Sequence, residues 1–244
     1  MTDRRLFLAL IGSLAISTAA LGSPAAAPNR KTTIVVIGDS QAQGVAGALQ
    51  RHYLRDTGLR VLDRSKIGSG LVTRAGYDWP SSAREIAAAH RADIAIVMFG
   101  ANDRPPFHID RVDPALVEQF RRAYGKKVRE IIRAFRDTGS EVIWLGHPIV
   151  RDENYAADMA LLNRIFETAA TEEGAHWLPL WNLAADNAGG YVAFGKAADG
   201  ETRRLRADDG IHFTPAGYDL VVSRLQPLIE EYRTVLPPDA AAGP

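Results

Sequence analysis

The 244-residue chain contains no cysteine, which excludes a disulfide framework, a thiolate metal site and a lipid-anchored N-terminal cysteine. It has no excess of charge either. Its 29 basic and 29 acidic side chains cancel, so no net field draws the protein to nucleic acid or anionic lipid. No His-rich or carboxylate cluster has the spacing of a metal site. The stretch Gly38 to Gly44 lacks the lysine of a phosphate-binding loop, and Gly68-Ser69-Gly70 does not open a helix after the first strand, as a dinucleotide fingerprint would. There is no internal repeat. What is there is ordinary for a globular chain: 46% hydrophobic and 24% charged residues. The length suits one substantial core, so a single domain is expected over residues 28–236, with a frayed tail at 237–244.

The first 27 residues read as an export signal. Arg4-Arg5 stands directly before an apolar run from Leu6 to Leu21, and the small residues Ser23-Pro24-Ala25-Ala26-Ala27 follow, as a signal-peptidase site requires. Arg4-Arg5-Leu6-Phe7-Leu8 suits a twin-arginine signal, and a general secretory signal fits as well. Gly12, Ser13, Ser17 and Thr18 dilute the run, which favours a cleaved leader over an anchor helix. The expected location is the periplasm or the exterior, with no stable membrane anchor after cleavage.

From Lys31 onward, strand and helix patterns alternate. Strands are expected at Thr32–Ile37, Gly58–Asp63, Asp93–Phe99, Glu141–Leu145 and Ala175–Leu178. Helices are expected from Gln41 to Arg55, from an N-cap at Ser81 to His90, over Pro114–Arg136 and Tyr155–Glu173, and from Thr214-Pro215 onward. Tyr191–Phe194 and Thr202–Leu205 suggest a small hairpin around Asp199-Gly200, inside an irregular stretch, 184–208, that is a candidate lid. Five strands alternating with helices imply a three-layer α/β/α sandwich on a mostly parallel sheet. Ser40, Gly70 and Asn102 each follow a strand, so all three loops lie at one edge of that sheet.

Ser40 ends the apolar run Ile34–Gly38 and begins a helix, where a hydroxyl stands at an open sheet edge. A serine nucleophile needs a base and a group to orient that base. Asp209 and His212, three apart in a turn before the last helix, can hydrogen-bond and leave the second ring nitrogen free to accept a proton. Oxyanion donors are available in the N–H of Ser40, the N–H of Gly70 and the carboxamide of Asn102.

Gly38-Asp39-Ser40, the loop glycine, Gly100-Ala101-Asn102-Asp103 and Asp209-x-x-His212 together resemble the four blocks of the SGNH (GDSL-type) hydrolases, in that family's order and across nearly the whole mature chain. The resemblance implies metal- and cofactor-independent ester hydrolysis by a Ser40–His212–Asp209 triad. The surrounding residues resemble an exported bacterial branch near carbohydrate O-acetyl esterases, so the implied substrate is an acylated carbohydrate or another small ester. Gln41 stands where the family commonly has leucine, a departure expected to touch no catalytic role.

Alone, Ser40 would more often be a helix N-cap than a nucleophile; the other three blocks reverse that weighting. Asp208 competes with Asp209, and spacing favours Asp209. Trp79, Arg104 and His147 are candidate substrate contacts at the rim, although core packing is the commoner use of a single tryptophan. A lipolytic esterase or thioesterase, a sugar O-acyltransferase and a non-catalytic carbohydrate-binding protein stay open as alternatives on the same site.

Overall fold

The computed structural model describes residues 30–72 and 76–235; the expected leader (1–27) and tail (237–244) lie outside them. β1 (Thr32–Gly38) is rich in β-branched residues, and Ile34, Val35, Val36 and Ile37 are fully buried, as a strand covered on both faces requires. The chain continues through α1 (Ser40–His52), β2 (Leu59–Asp63), α2 (Trp79–His90), β3 (Ile94–Met98), α3 (Pro114–Arg136), β4 (Glu141–Leu145), α4 (Glu153–Glu172) and β5 (His176–Leu178). The hairpin β6 (Phe194–Lys196) and β7 (Thr202–Arg204) leads into α5 (Pro215–Val235).

Strands β1 to β5 form a parallel sheet in the order β2-β1-β3-β4-β5. Side chains alternate across it with the two-residue period of a strand. Val35, Ile37, Ala95, Val97, Val142 and Trp144 pack under α2, α3 and α4. Ile34, Val36, Ile94, Ile96, Ile143 and Leu145 pack under α1 and α5. This is the three-layer α/β/α sandwich that the alternating pattern implies.

Four helices begin on an aspartate whose carboxylate accepts a first-turn N–H: Asp39 from Gln41, Asp78 from Ser81, Asp113 from Ala115 and Asp152 from Tyr155. Two expected starts move for this reason. α2 is capped by Asp78 rather than Ser81, with Pro80 in its first turn, and α4 starts ahead of Tyr155 because Asp152 caps it. The hairpin strands sit closer to Asp199-Gly200 than expected, because the Ala197 N–H donates to the Glu201 carbonyl (2.9 Å) and closes the turn early.

The sheet order reverses between β1 and β3, since the chain steps out to β2 and then crosses back. The crevice beyond the carboxyl ends of two such strands is where doubly wound sheets place ligands. β1 ends in a glycine at positive φ, Gly38 (+140°), and another, Gly100 (+128°), stands two residues beyond β3. A Cβ on Gly38 would stand 1.8 Å from the Met98 carbonyl oxygen, so only glycine lets β1 turn so near β3.

Candidate active site

Ser40 is the first residue of α1, directly after Gly38-Asp39. Asp39 is fully buried; one carboxylate oxygen accepts the Gln41 N–H (2.9 Å) and the other the Ala101 N–H (3.1 Å). The same side chain therefore caps the helix of Ser40 and holds the loop that carries Asn102. Burial pushes the Asp39 carboxyl up to about 7, against the hydrogen bond from Gln41, with the nearby Asp103 carboxylate adding to the rise.

His212 comes from the turn between β7 and α5. Its Nε2 lies 2.7 Å from Ser40 Oγ and its Nδ1 2.6 Å from Asp209 Oδ2. The other oxygen, Asp209 Oδ1, accepts the N–H groups of Ile211 (2.8 Å) and His212 (2.9 Å). Partial desolvation raises the Asp209 carboxyl, but these N–H donors and the His212 ring outweigh it and hold the group down at about 2. Asp209 is thus a carboxylate at neutral pH, acceptor-only, and it draws the ring proton to Nδ1. The Nε2 lone pair then faces the Ser40 hydroxyl, the geometry of a general base beside a nucleophile. Asp208, the competing acid, points elsewhere: it is 90% exposed and pairs with Arg204.

The glycine loop is fastened from below by neighbouring residues of one turn. The Asn102 Nδ2 donates to the Ser69 carbonyl (2.8 Å), and a carboxamide nitrogen has a second hydrogen to offer. Asp103, fully buried, accepts the N–H groups of Leu71 and Val72 (2.9 Å each) and the Tyr124 hydroxyl (2.8 Å). Gly70 is buried in the middle of this loop. Asn102 is exposed, and Ser40 and His212 are half-buried.

Two of the three expected rim contacts are corrected. Trp79 is fully buried, and its indole N–H donates to Ser69 Oγ (2.9 Å); it stacks edge-on to Phe99 (4.9 Å) and supports the glycine loop from the core. His147 is also fully buried, with Nδ1 2.9 Å from the Pro148 carbonyl, and burial lowers the imidazole to about 4, so it is neutral and out of a substrate's reach. Arg104 does lie at the surface, two residues past Asn102, where its Nε donates to Asp158 (2.6 Å) and its guanidinium covers the Tyr155 ring.

Three residues at the site escaped the sequence reading. Asp103 holds the glycine loop. Gln41, expected to be without a catalytic role, is fully buried and donates from Nε2 to the Ile211 carbonyl (2.6 Å) while its Oε1 accepts the Tyr218 hydroxyl (2.8 Å). Arg206, in the irregular stretch 184–208, is fully buried against the turn of His212. No group of three or more His, Asp or Glu that could hold a metal occurs among the described residues, and none of the described helices is long and apolar enough to cross a membrane.

The fold is an SGNH hydrolase-like α/β sandwich. The chain belongs to the family described as "Protein of unknown function (DUF459)", whose model matches residues 33–227. Among solved structures it is similar to a GDSL-like lipase from Bacteroides thetaiotaomicron, at 14% identity and TM-score 0.58, covering 85% of this chain and 92% of that one. It is similar also to the acetyl xylan esterase AlAXEase (13%, TM-score 0.57, 81% and 99%). A third is a catalytic mutant of Axe2, an acetylxylan esterase from Geobacillus stearothermophilus (15%, TM-score 0.56, 83% and 94%). At these identities the likeness is one of fold. No curated protein matches the sequence.

Proposed function

We propose that the protein is an exported serine esterase that removes short acyl groups, acetyl foremost, from cell-envelope carbohydrate. The observation that carries this reading is the continuous array from Asp209 Oδ2 to His212 Nδ1 (2.6 Å) and from His212 Nε2 to Ser40 Oγ (2.7 Å), set at the switch point of the sheet. Ser40 Oγ attacks the ester carbonyl while His212 Nε2 takes its proton. The resulting imidazolium, held by the Asp209 carboxylate, returns that proton to the departing sugar oxygen. Water then attacks the acyl carbonyl as His212 Nε2 takes its proton, and breaking the bond from the acyl carbon to Ser40 Oγ releases the acid while the imidazolium returns that proton to Ser40 Oγ. The Ser40 and Gly70 N–H groups and the second hydrogen of Asn102 Nδ2 hold the oxyanion in both steps. No metal or cofactor takes part.

Two features support the finer parts of the reading. Acetylxylan esterases share this fold, which favours an acetylated glycan by analogy alone. The paired arginines and apolar run at the N-terminus favour export. Arg104, exposed beside Asn102, is the residue that meets the sugar.

Hydrolysis of p-nitrophenyl acetate, butyrate and octanoate by the mature chain, with Ser40→Ala alongside, tests the proposal. Acetate-selective turnover that vanishes in the variant supports it. A preference for octanoate redirects it to lipolysis, and unchanged turnover in Ser40→Ala overturns the mechanism.

A further inference from the structure

Arg206 is fully buried, yet no carboxylate of the described residues pairs with its guanidinium. Its donors go to backbone carbonyls instead: Nη1 to Ile149 (2.5 Å), Nη2 to Ile211 (2.6 Å) and, more loosely, Nη2 to Gly210 (3.5 Å) and Nε to His212 (3.4 Å). Three of these carbonyls are consecutive, so the turn that carries the base wraps its acceptors around one cation. The flat face of the guanidinium lies over the Phe213 and Tyr191 rings (4.7 and 5.4 Å). A buried charge without a countercharge is costly unless polar groups surround it, and here the surrounding dipoles all belong to the turn of His212 and the loop after β4.

The Ile211 carbonyl has a second donor. Gln41 Nε2 reaches it at 2.6 Å, and because a carbonyl only accepts, the orientation of this amide is determined, with Oε1 left for the Tyr218 hydroxyl (2.8 Å). Gln41 is the residue after Ser40, and Ile211 is the residue before His212. A hydrogen bond between these neighbours therefore runs alongside the Ser40–His212 contact and bridges the same gap between α1 and the turn. The turn is closed on itself by Ala207 N–H to the His212 carbonyl (2.8 Å) and Gly210 N–H to the Ala207 carbonyl (3.1 Å), so a force on residue 211 is passed to residue 212.

We propose that Gln41 and Arg206 are positioning residues that grip the Ile211 carbonyl from both sides and thereby hold the His212 ring within reach of Ser40. The inference rests on the esterase reading above. It assigns a role to the glutamine that replaces the family's common leucine and to an arginine that no catalytic pattern contains. Base placement is sensitive to small displacements, and about 1 Å of misplacement costs on the order of 10²-fold in rate. Loss of the grip is expected in kcat, with KM nearly unchanged, because neither side chain faces the crevice.

The experiment compares wild type, Gln41→Leu, Arg206→Met and Arg206→Lys by three readouts: folding by thermal melt, the rate at which a fluorophosphonate probe labels Ser40, and the proton NMR resonance of the His212 Nδ1–H bonded to Asp209. Labelling needs an activated serine but no natural substrate. Wild type left unlabelled counts against the esterase reading itself. Given labelled wild type, folded Gln41→Leu is expected to react about tenfold more slowly and Arg206→Met on the order of 10²-fold more slowly. Arg206→Lys should fall between, with a broadened or lost His212 signal in the slow variants. Folded variants that label at the wild-type rate with an intact signal overturn the proposal. If Arg206→Met does not fold, Gln41→Leu and Arg206→Lys decide by the same criterion.

Discussion

The two sides of the crevice at Ser40 are built on opposite electrostatic plans. On the side of the glycine loop, buried aspartate side chains collect backbone N–H groups: Asp39 takes those of Gln41 and Ala101, and Asp103 takes those of Leu71 and Val72. On the base side, the buried guanidinium of Arg206 collects backbone carbonyls. Backbone N–H groups turned inward need acceptors below them, and consecutive carbonyls turned inward need donors. Each arrangement fixes the backbone that carries a candidate site residue, Asn102 on one side and His212 on the other. The difference teaches that a buried polar side chain here orders a loop, and that whether it is an acceptor or a donor follows from which backbone groups the loop turns inward.

The largest effect should come from the side of the glycine loop. Asn102→Ala takes away the hydrogen bond to Ser69 and the donor proposed for the oxyanion, and kcat on p-nitrophenyl acetate is expected to fall about 10²–10³-fold, with the melting temperature less affected than the rate. Next is the anion beneath the loop. Asp103→Leu leaves the N–H groups of Leu71 and Val72 and the Tyr124 hydroxyl without their acceptor, a loss of roughly 2–3 kcal/mol in denaturant unfolding; an unchanged midpoint would mean that water replaces the carboxylate there.

Asp39 sharpens the comparison through pH. Its carboxyl sits at about 7 in the folded chain against an ordinary 3.8, so the protonated form favours folding. That contribution is complete below about pH 4 and is lost as pH rises through about 7. The wild-type melting temperature should therefore drop more steeply between pH 4 and pH 8 than that of Asp39→Asn, and parallel curves would refute the assignment. The smallest effect belongs to Trp79→Phe, which removes one hydrogen bond to Ser69 Oγ and keeps most of the packing. Stability should fall by about 1 kcal/mol with KM unchanged, whereas a raised KM would return Trp79 to the substrate.

Much of this was legible in one dimension. The parallel strands announce themselves as short runs such as Ile94–Met98, and the 23 residues of α3 carry both their boundaries in the sequence, Asp113-Pro114 at the start and Gly139 beyond the end. Ser40, Asp209 and His212 stand out because nucleophile, acid and base have distinctive neighbours in sequence, and the structure brings the three within hydrogen-bond distance. Trp79 and His147 were misplaced at the rim because a polar tip on a ring gives no sign of which way the ring faces; both bury the ring and satisfy one nitrogen against a local partner.

Local pattern alone therefore determined the alternation of strand and helix, the apolar faces and the chemical types at the crevice, since these depend on neighbours a few residues apart. Only the tertiary structure decided the strand order that opens the crevice between β1 and β3, the seat of Asp103 under the glycine loop and the joint hold of Gln41 and Arg206 on Ile211. The reason is distance along the chain: Gln41 and Ile211 are 170 residues apart, and a hydrogen bond of that span has no periodicity to mark it.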